Sequence, residues 1–136
     1  MFAPRGGCVM TQTARCCCGD LTITIAGAPL MSAICHCDSC KRRTGSAFGW
    51  QVYVRDDDVV ETIGAALVYQ VPVTPPAARS FCARCGTTLF WKADIFPGMT
   101  GIAAGGFSDP PTPTMSASSS NRCVWLELPA GCHASP

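Results

Sequence analysis

Seven of the eleven cysteines in this 136-residue chain fall into three close spacings: Cys16-x-Cys18, Cys35-x-Cys37-x-x-Cys40 and Cys82-x-x-Cys85. Such spacings bring two or three soft sulfur ligands round one turn, and two half-sites far apart in the chain must converge if they share an ion. In a small secreted protein so many cysteines would suggest a disulfide framework. Here the count is odd, and Met1 to Ala14 lacks the apolar run of about 7 to 15 residues that an export signal needs. The expectation is therefore metal, in a protein of the reducing cytoplasm.

Hydrophobic residues make up 48% of the chain and charged residues 14%, enough for one globular core. The net charge of +1 gives no basic excess to bind nucleic acid, and no apolar run approaches the roughly 18 to 20 residues of a membrane span. Residues 1–14 read as a disordered lead-in, with Met10 as an alternative start. Residues 15–129 read as the domain and residues 130–136 as a tail.

Leu21 to Ala26 alternates β-branched residues and reads as a strand. Strand-like runs recur at Phe48 to Val54, Val59 to Ile63, Leu67 to Val71, Thr87 to Trp91 and Gly101 to Ala104. Gly and Pro punctuate them, which argues for an all-β, mostly antiparallel domain. A short helix is expected over Asp38 to Arg43, and Asp109 to Ser120 reads as an edge loop or extended segment.

In an extended chain Cys16 and Cys18 point the same way, making a half-site, and Cys82-Ala-Arg-Cys85-Gly86 offers a second one on a tight turn. Together they can close a tetrahedral four-thiolate zinc site. Cys35, Cys37 and Cys40 put three thiolates within six residues, leaving one coordination position free. His36 is the alternative fourth ligand, although alternation turns it away from them. Three thiolates on zinc leave a formal negative charge, which Lys41, Arg42 and Arg43 are placed to offset; Arg42 is the residue expected to meet an anionic thiol. Cys8, Cys123 and Cys132 have no partner spacing.

These elements, in this order, resemble the glutathione-dependent formaldehyde-activating enzyme family, which includes the centromere protein V-like proteins. The likeness runs from Cys16-x-Cys18-Gly19 through Cys35-His-Cys37-x-x-Cys40 and Arg43-Thr44-Gly45-Ser46. It continues in Arg79-x-Phe81-Cys82-x-x-Cys85-Gly86-Thr87-x-Leu89, Gly105-Gly106-Phe107-x-Asp109-Pro110 and Trp125 near Leu128-Pro129. It implies a tent-like all-β fold built around a zinc ribbon, with two zinc ions per chain. By similarity Cys16, Cys18, Cys82 and Cys85 hold a structural ion, and Cys35, Cys37 and Cys40 hold a catalytic one.

The implied activity is that of a carbon-sulfur lyase joining formaldehyde to glutathione, so the expected partners are a small thiol and an aldehyde. Where family members often carry a His before the Trp, this chain has Met115 and a Ser-rich stretch. Only His36 and His133 are present. The residues leave a second function class open, a zinc-stabilised thiol carrier or protein-interaction module without turnover.

Overall fold

In β2 (Thr22–Ala26), Ile23 and Ile25 are buried to 1% and 0% exposure, while Thr24 between them looks outward. This is the two-residue period of a strand with one face on a core. The computed structural model describes residues 10–72 and 75–136. In it β2 is flanked antiparallel by β1 (Thr11–Arg15) and β5 (Val59–Ile63) in a three-stranded sheet.

The remaining strands form one larger sheet. In chain order they are β3 (Met31–Cys35), β4 (Gly49–Arg55), β6 (Ala66–Val71), β7 (Ala77–Cys82), β8 (Thr88–Ala93), β9 (Met99–Ala103), β10 (Met115–Ala117) and β11 (His133–Ala134). In space they run β11-β10-β3-β4-β9-β8-β7-β6. One helix, α1 (Asp38–Thr44), links β3 to β4 and ends at Gly45 in the left-handed conformation.

The core lies between the sheets. Leu21, just before β2, and Ile23 and Ile25 of β2 meet Val52 and Val54 of β4 and Ile102 of β9, with Leu89 and Phe107 closing the sides. Burying each of the larger aliphatic side chains contributes about 1.5 to 3 kcal/mol. β4 is buried on both faces. Val52 and Val54 face the core; Gln51 and Tyr53, at 7% exposure each, face the other way. On that second face Tyr53 pairs across to Gly101 of β9, and Gly101 to Trp91 of β8. A side chain on Gly101 would overlap the Trp91 indole; without one, the indole Nε1 reaches Tyr53 Oη at 3.2 Å.

The expected strands appear within one to two residues of their sequence positions, and the helix extends to Thr44. Two readings need correction. The lead-in does not reach residue 14: Thr11–Arg15 is a strand paired along its length with β2, and Ala14 is completely buried. Its remainder, residues 1–9, lies outside the described residues. The tail from residue 130 contains β11, which pairs with β10. The sheets are mostly antiparallel, as expected, with β10 alone running parallel to its neighbours β3 and β11 among the described residues.

Replacing Gly101 by Ala would force the Trp91 ring from its place. The unfolding free energy should fall by about 1 to 3 kcal/mol, seen as a lower denaturant midpoint at unchanged slope. An unchanged midpoint would show that the indole does not pack over β9.

Candidate metal centres

β1 ends at Arg15, and the chain doubles back into β2 through a turn closed by Cys16 N–H to Leu21 O at 3.0 Å and Gly19 N–H to Cys16 O at 3.1 Å. This turn, and not extended alternation, brings Cys18 Sγ to 3.6 Å from Cys16 Sγ. The Leu21 amide donates to Cys16 Sγ at 3.2 Å. The far half-site repeats the arrangement at the end of β7. There the amides of Arg84 and Cys85 point at Cys82 Sγ, at 3.4 and 3.5 Å. Gly86, at φ +82°, turns the chain so that its own amide closes on Cys82 O at 2.9 Å.

The sulfurs of Cys16, Cys18, Cys82 and Cys85 all lie within 4.8 Å of one another, with Cys18 and Cys82 at 3.7 Å. A metal held tetrahedrally by four sulfurs at about 2.3 Å sets sulfur–sulfur edges of about 3.8 Å, so the donor set fits such an ion. Thr87 ties the halves together: its hydroxyl accepts from the Cys17 amide at 3.1 Å and lies 3.2 Å from Cys85 Sγ. Arg84 and Asp20 add an exposed ion pair at 3.1 Å across the same junction.

Four thiols this close divide their protons unevenly. The Thr87 hydroxyl and amide draw Cys85 down to about 5. The Asp20 amide favours the Cys18 thiolate, but desolvation and the three neighbouring sulfurs outweigh it and push Cys18 up to about 12. A divalent cation resolves the conflict by allowing every sulfur to be a thiolate.

The second cluster is local. Cys35 is the last residue of β3, Cys37 caps α1 with its sulfur accepting from the Cys40 amide at 3.3 Å, and Cys40 sits in the first helical turn. Their three sulfurs lie within 4.8 Å of one another, and no fourth His, Cys, Asp or Glu joins them among the described residues. The hydrogen bond from Cys40 outweighs burial and draws Cys35 down to about 5, while Cys40 itself is pushed up, first by that bond to Cys35 and then by burial. His36 points away: it is fully buried, its Nε2 lies 3.0 Å from Ser116 Oγ, and its Nδ1 has no partner.

A strap over this cluster was missed by the sequence reading. β10 lies beside β3, with the His36 amide donating to Ala117 O at 3.0 Å. Beyond it Asn121 Nδ2 donates to His36 O at 2.8 Å and to Asp38 Oδ1 at 2.9 Å. Between them Ser118, a non-glycine residue in the left-handed region at φ +52°, sets its Oγ 4.0 Å from Cys35 Sγ. The one signal available was the Ser-Ser-Ser-Asn run, whose side chains readily bond nearby backbone.

Of the basic run, Lys41 Nζ donates to Asn121 O at 2.7 Å. Arg42 is exposed and has no hydrogen-bond partner among the described residues. Arg43 turns inward, its guanidinium 4.6 Å from the centre of the Trp91 ring. Cys123 and Cys132 are half-buried free thiols that join neither cluster, and Cys8 lies outside the described residues.

A family profile described as "Glutathione-dependent formaldehyde-activating enzyme" matches residues 11–123. Among solved structures, a Rhodobacter sphaeroides protein is similar in fold: the TM-score is 0.59 at 22% sequence identity, over 73% of this chain and 90% of that one. No functionally curated protein matches the chain.

Asn121 is the strap's main polar anchor. Asn121→Ala leaves His36 O without that bond and should cost about 1 to 3 kcal/mol. Amide exchange across residues 116–121 should accelerate while that around Cys82 and Cys85 does not. Equal protection in both proteins would show that strand pairing alone holds the strap.

Proposed function

Because the chain belongs to the glutathione-dependent formaldehyde-activating enzyme family, we propose that it is a zinc-dependent carbon-sulfur lyase that joins a thiol, glutathione or a relative, to formaldehyde. The observation that supports this most directly is the inequality of the two clusters. One offers four sulfurs and is complete; the other offers three, beside a strap that supplies hydroxyls and no further metal ligand among the described residues. Closed sites of the first kind are structural, and sites that keep a position free are reactive.

The reaction adds the thiol sulfur to the aldehyde carbon. One carbon–sulfur bond forms, the carbon–oxygen double bond becomes single, and the thiol proton ends on that oxygen, giving S-hydroxymethylglutathione without any oxidant. Cys35, Cys37 and Cys40 would hold the zinc, which when bound would supply acidity, lowering the pKa of a thiol ligand so that thiolate is available at neutral pH. The chain's own residues do the rest. Cys35 to Cys40 hold three sulfurs on one side through the capped first turn of α1. Ser118, beside Cys35, offers a hydroxyl to the oxygen that gains negative charge. His36 acts from behind: burial holds its pKa below the ordinary value, and its bond to Ser116 orients the segment between Cys35 and Cys37. The thiolates of both centres must stay reduced, in keeping with a reducing compartment. No helix among the described residues is long and apolar enough to cross a membrane.

Protein purified without chelator should carry about two zinc ions per chain, measured by mass spectrometry of the metal. Cys82→Ser breaks a site joining distant parts of the chain. Structural zinc contributes on the order of 10 kcal/mol to folding in small zinc domains, so this variant should be insoluble or unfolded. Cys40→Ser should remain folded, lose about one zinc, and lose glutathione-dependent formaldehyde exchange above the spontaneous rate. A Cys40→Ser protein that unfolds beside a folded, inactive Cys82→Ser would reverse the two roles. Exchange retained in a folded Cys40→Ser variant would remove the catalytic assignment.

A further inference from the structure

A thiol bound at Cys35, Cys37 and Cys40 needs the rest of its body held, and two guanidinium groups stand beside that centre on separate elements. Arg79 of β7 is half-buried, with Nη2 donating to Ser39 Oγ at 2.8 Å in the first turn of α1. Arg43, in the last turn of α1, lies over Trp91, the residue paired with Arg79 across β7 and β8. Neither has a carboxylate partner; the ion pairs among the described residues are Arg84 with Asp20 and Lys92 with Asp56. Burial lowers the Arg79 pKa, the like charge of Arg43 lowers it further, and the sulfurs of Cys40 and Cys37 oppose both. The two cations therefore feel each other and the cluster. Partly desolvated like charges without an anion are costly, and a bound anion relieves that cost.

A third group faces the same place. Gln51 Oε1 is buried without a hydrogen-bond partner, on the β4 face that also carries Tyr53. Gly49 explains the convergence: a Cβ there would stand 2.5 Å from Arg43 Nη2, 3.1 Å from Cys40 Cβ and 3.2 Å from Gln51 Oε1. The missing side chain lets a guanidinium, a cysteine of the cluster and an unpaired acceptor approach one point. A ligand complementary to this set carries a thiol, a carboxylate and an N–H donor.

We propose that Arg43 and Arg79 together receive a carboxylate of the thiol substrate while Gln51 accepts one of its N–H groups, which selects anionic aminoacyl or peptidyl thiols over uncharged ones. The assignment rests on the thiol-binding reading of the three-cysteine centre. It moves recognition from the exposed Arg42 to two residues that the chain brings together only on folding.

The test compares glutathione with its diethyl ester, in which both carboxylates are capped, on the zinc-loaded full chain. Calorimetric binding and formaldehyde exchange are measured side by side. The wild-type protein should bind glutathione roughly 10- to 100-fold more tightly than the diester, the scale of one charge-assisted bidentate contact. Arg79→Gln and Arg43→Gln should each raise the glutathione KM and Kd by about that factor, leave kcat within about threefold, and leave the diester unaffected. Arg79→Lys should fall between, since it keeps the charge and loses the planar fork. Zinc content and Tm identify any variant that has misfolded; if Arg43→Gln does, Arg79→Gln and the wild-type comparison decide.

Equal binding of the two thiols by the wild-type protein, or equal weakening of both in the Arg79 variant, overturns the assignment even if exchange proceeds. Loss of discrimination in Arg42→Gln alone would place the anion on the outer side of α1 and overturn it as well. Discrimination at these arginines without any exchange would sustain the binding site and remove the lyase reading.

Discussion

Cysteine sulfurs that stand 64 residues apart in the chain, on Cys18 and Cys82, meet at 3.7 Å, and both sheets are anchored where they meet. Cys16 and Cys18 belong to the loop that joins β1 to β2; Cys82 and Cys85 close the end of β7. Cys16 and Cys82 are also core residues, buried with Leu21 and Leu89, so the cluster and the apolar core are one continuous region. Thiolates do not gather without a counter-charge. Backbone amides from Leu21, Arg84 and Cys85 supply part of it, and the tetrahedral spacing leaves the remainder to a cation.

From this junction the larger sheet acquires two unlike faces. Along β4, Val52 and Val54 fill the space between the sheets, whereas Gln51 and Tyr53 look toward α1 and the three-cysteine cluster. The strand is thus both core and floor of the candidate site, and the packing that secures one sets the position of the other. Trp91 shows the coupling in a single side chain. Its indole bonds Tyr53, occupies the place left by Gly101, and carries Arg43 on its face.

The strands most readily read from the sequence were those with regular β-branched alternation: TITIA in β2 and the run through Val52 and Val54 in β4. β1 (TQTAR), β3 (MSAIC) and β7 (AARSFC) are real strands with weak patterns, because each buries small or mixed side chains. Their places come from partners elsewhere in the chain, which no local window contains. The cysteines that cluster were legible through spacing together with the family resemblance, which supplied the pairing, yet the geometry behind one cluster differs. Cys16 and Cys18 meet across a tight turn and not on one side of an extended segment. Ser118, Asn121 and Gln51 carry no motif of their own; they reach the site through parallel pairing of β10 and register in β4.

The strap and the three-cysteine cluster also differ in when a growing chain can make them. Residues 35 to 40 hold all three sulfurs within one strand end and one helical turn, so this ligand set is complete once that short stretch has emerged. The four-sulfur set waits for Cys85, and the strap for a serine 80 residues beyond His36. Local contacts close quickly and distant ones pay the entropy of a long loop. During synthesis the three-cysteine cluster therefore exists before the scaffold that shelters it, and for that interval its thiols are open to any metal or oxidant in the surroundings.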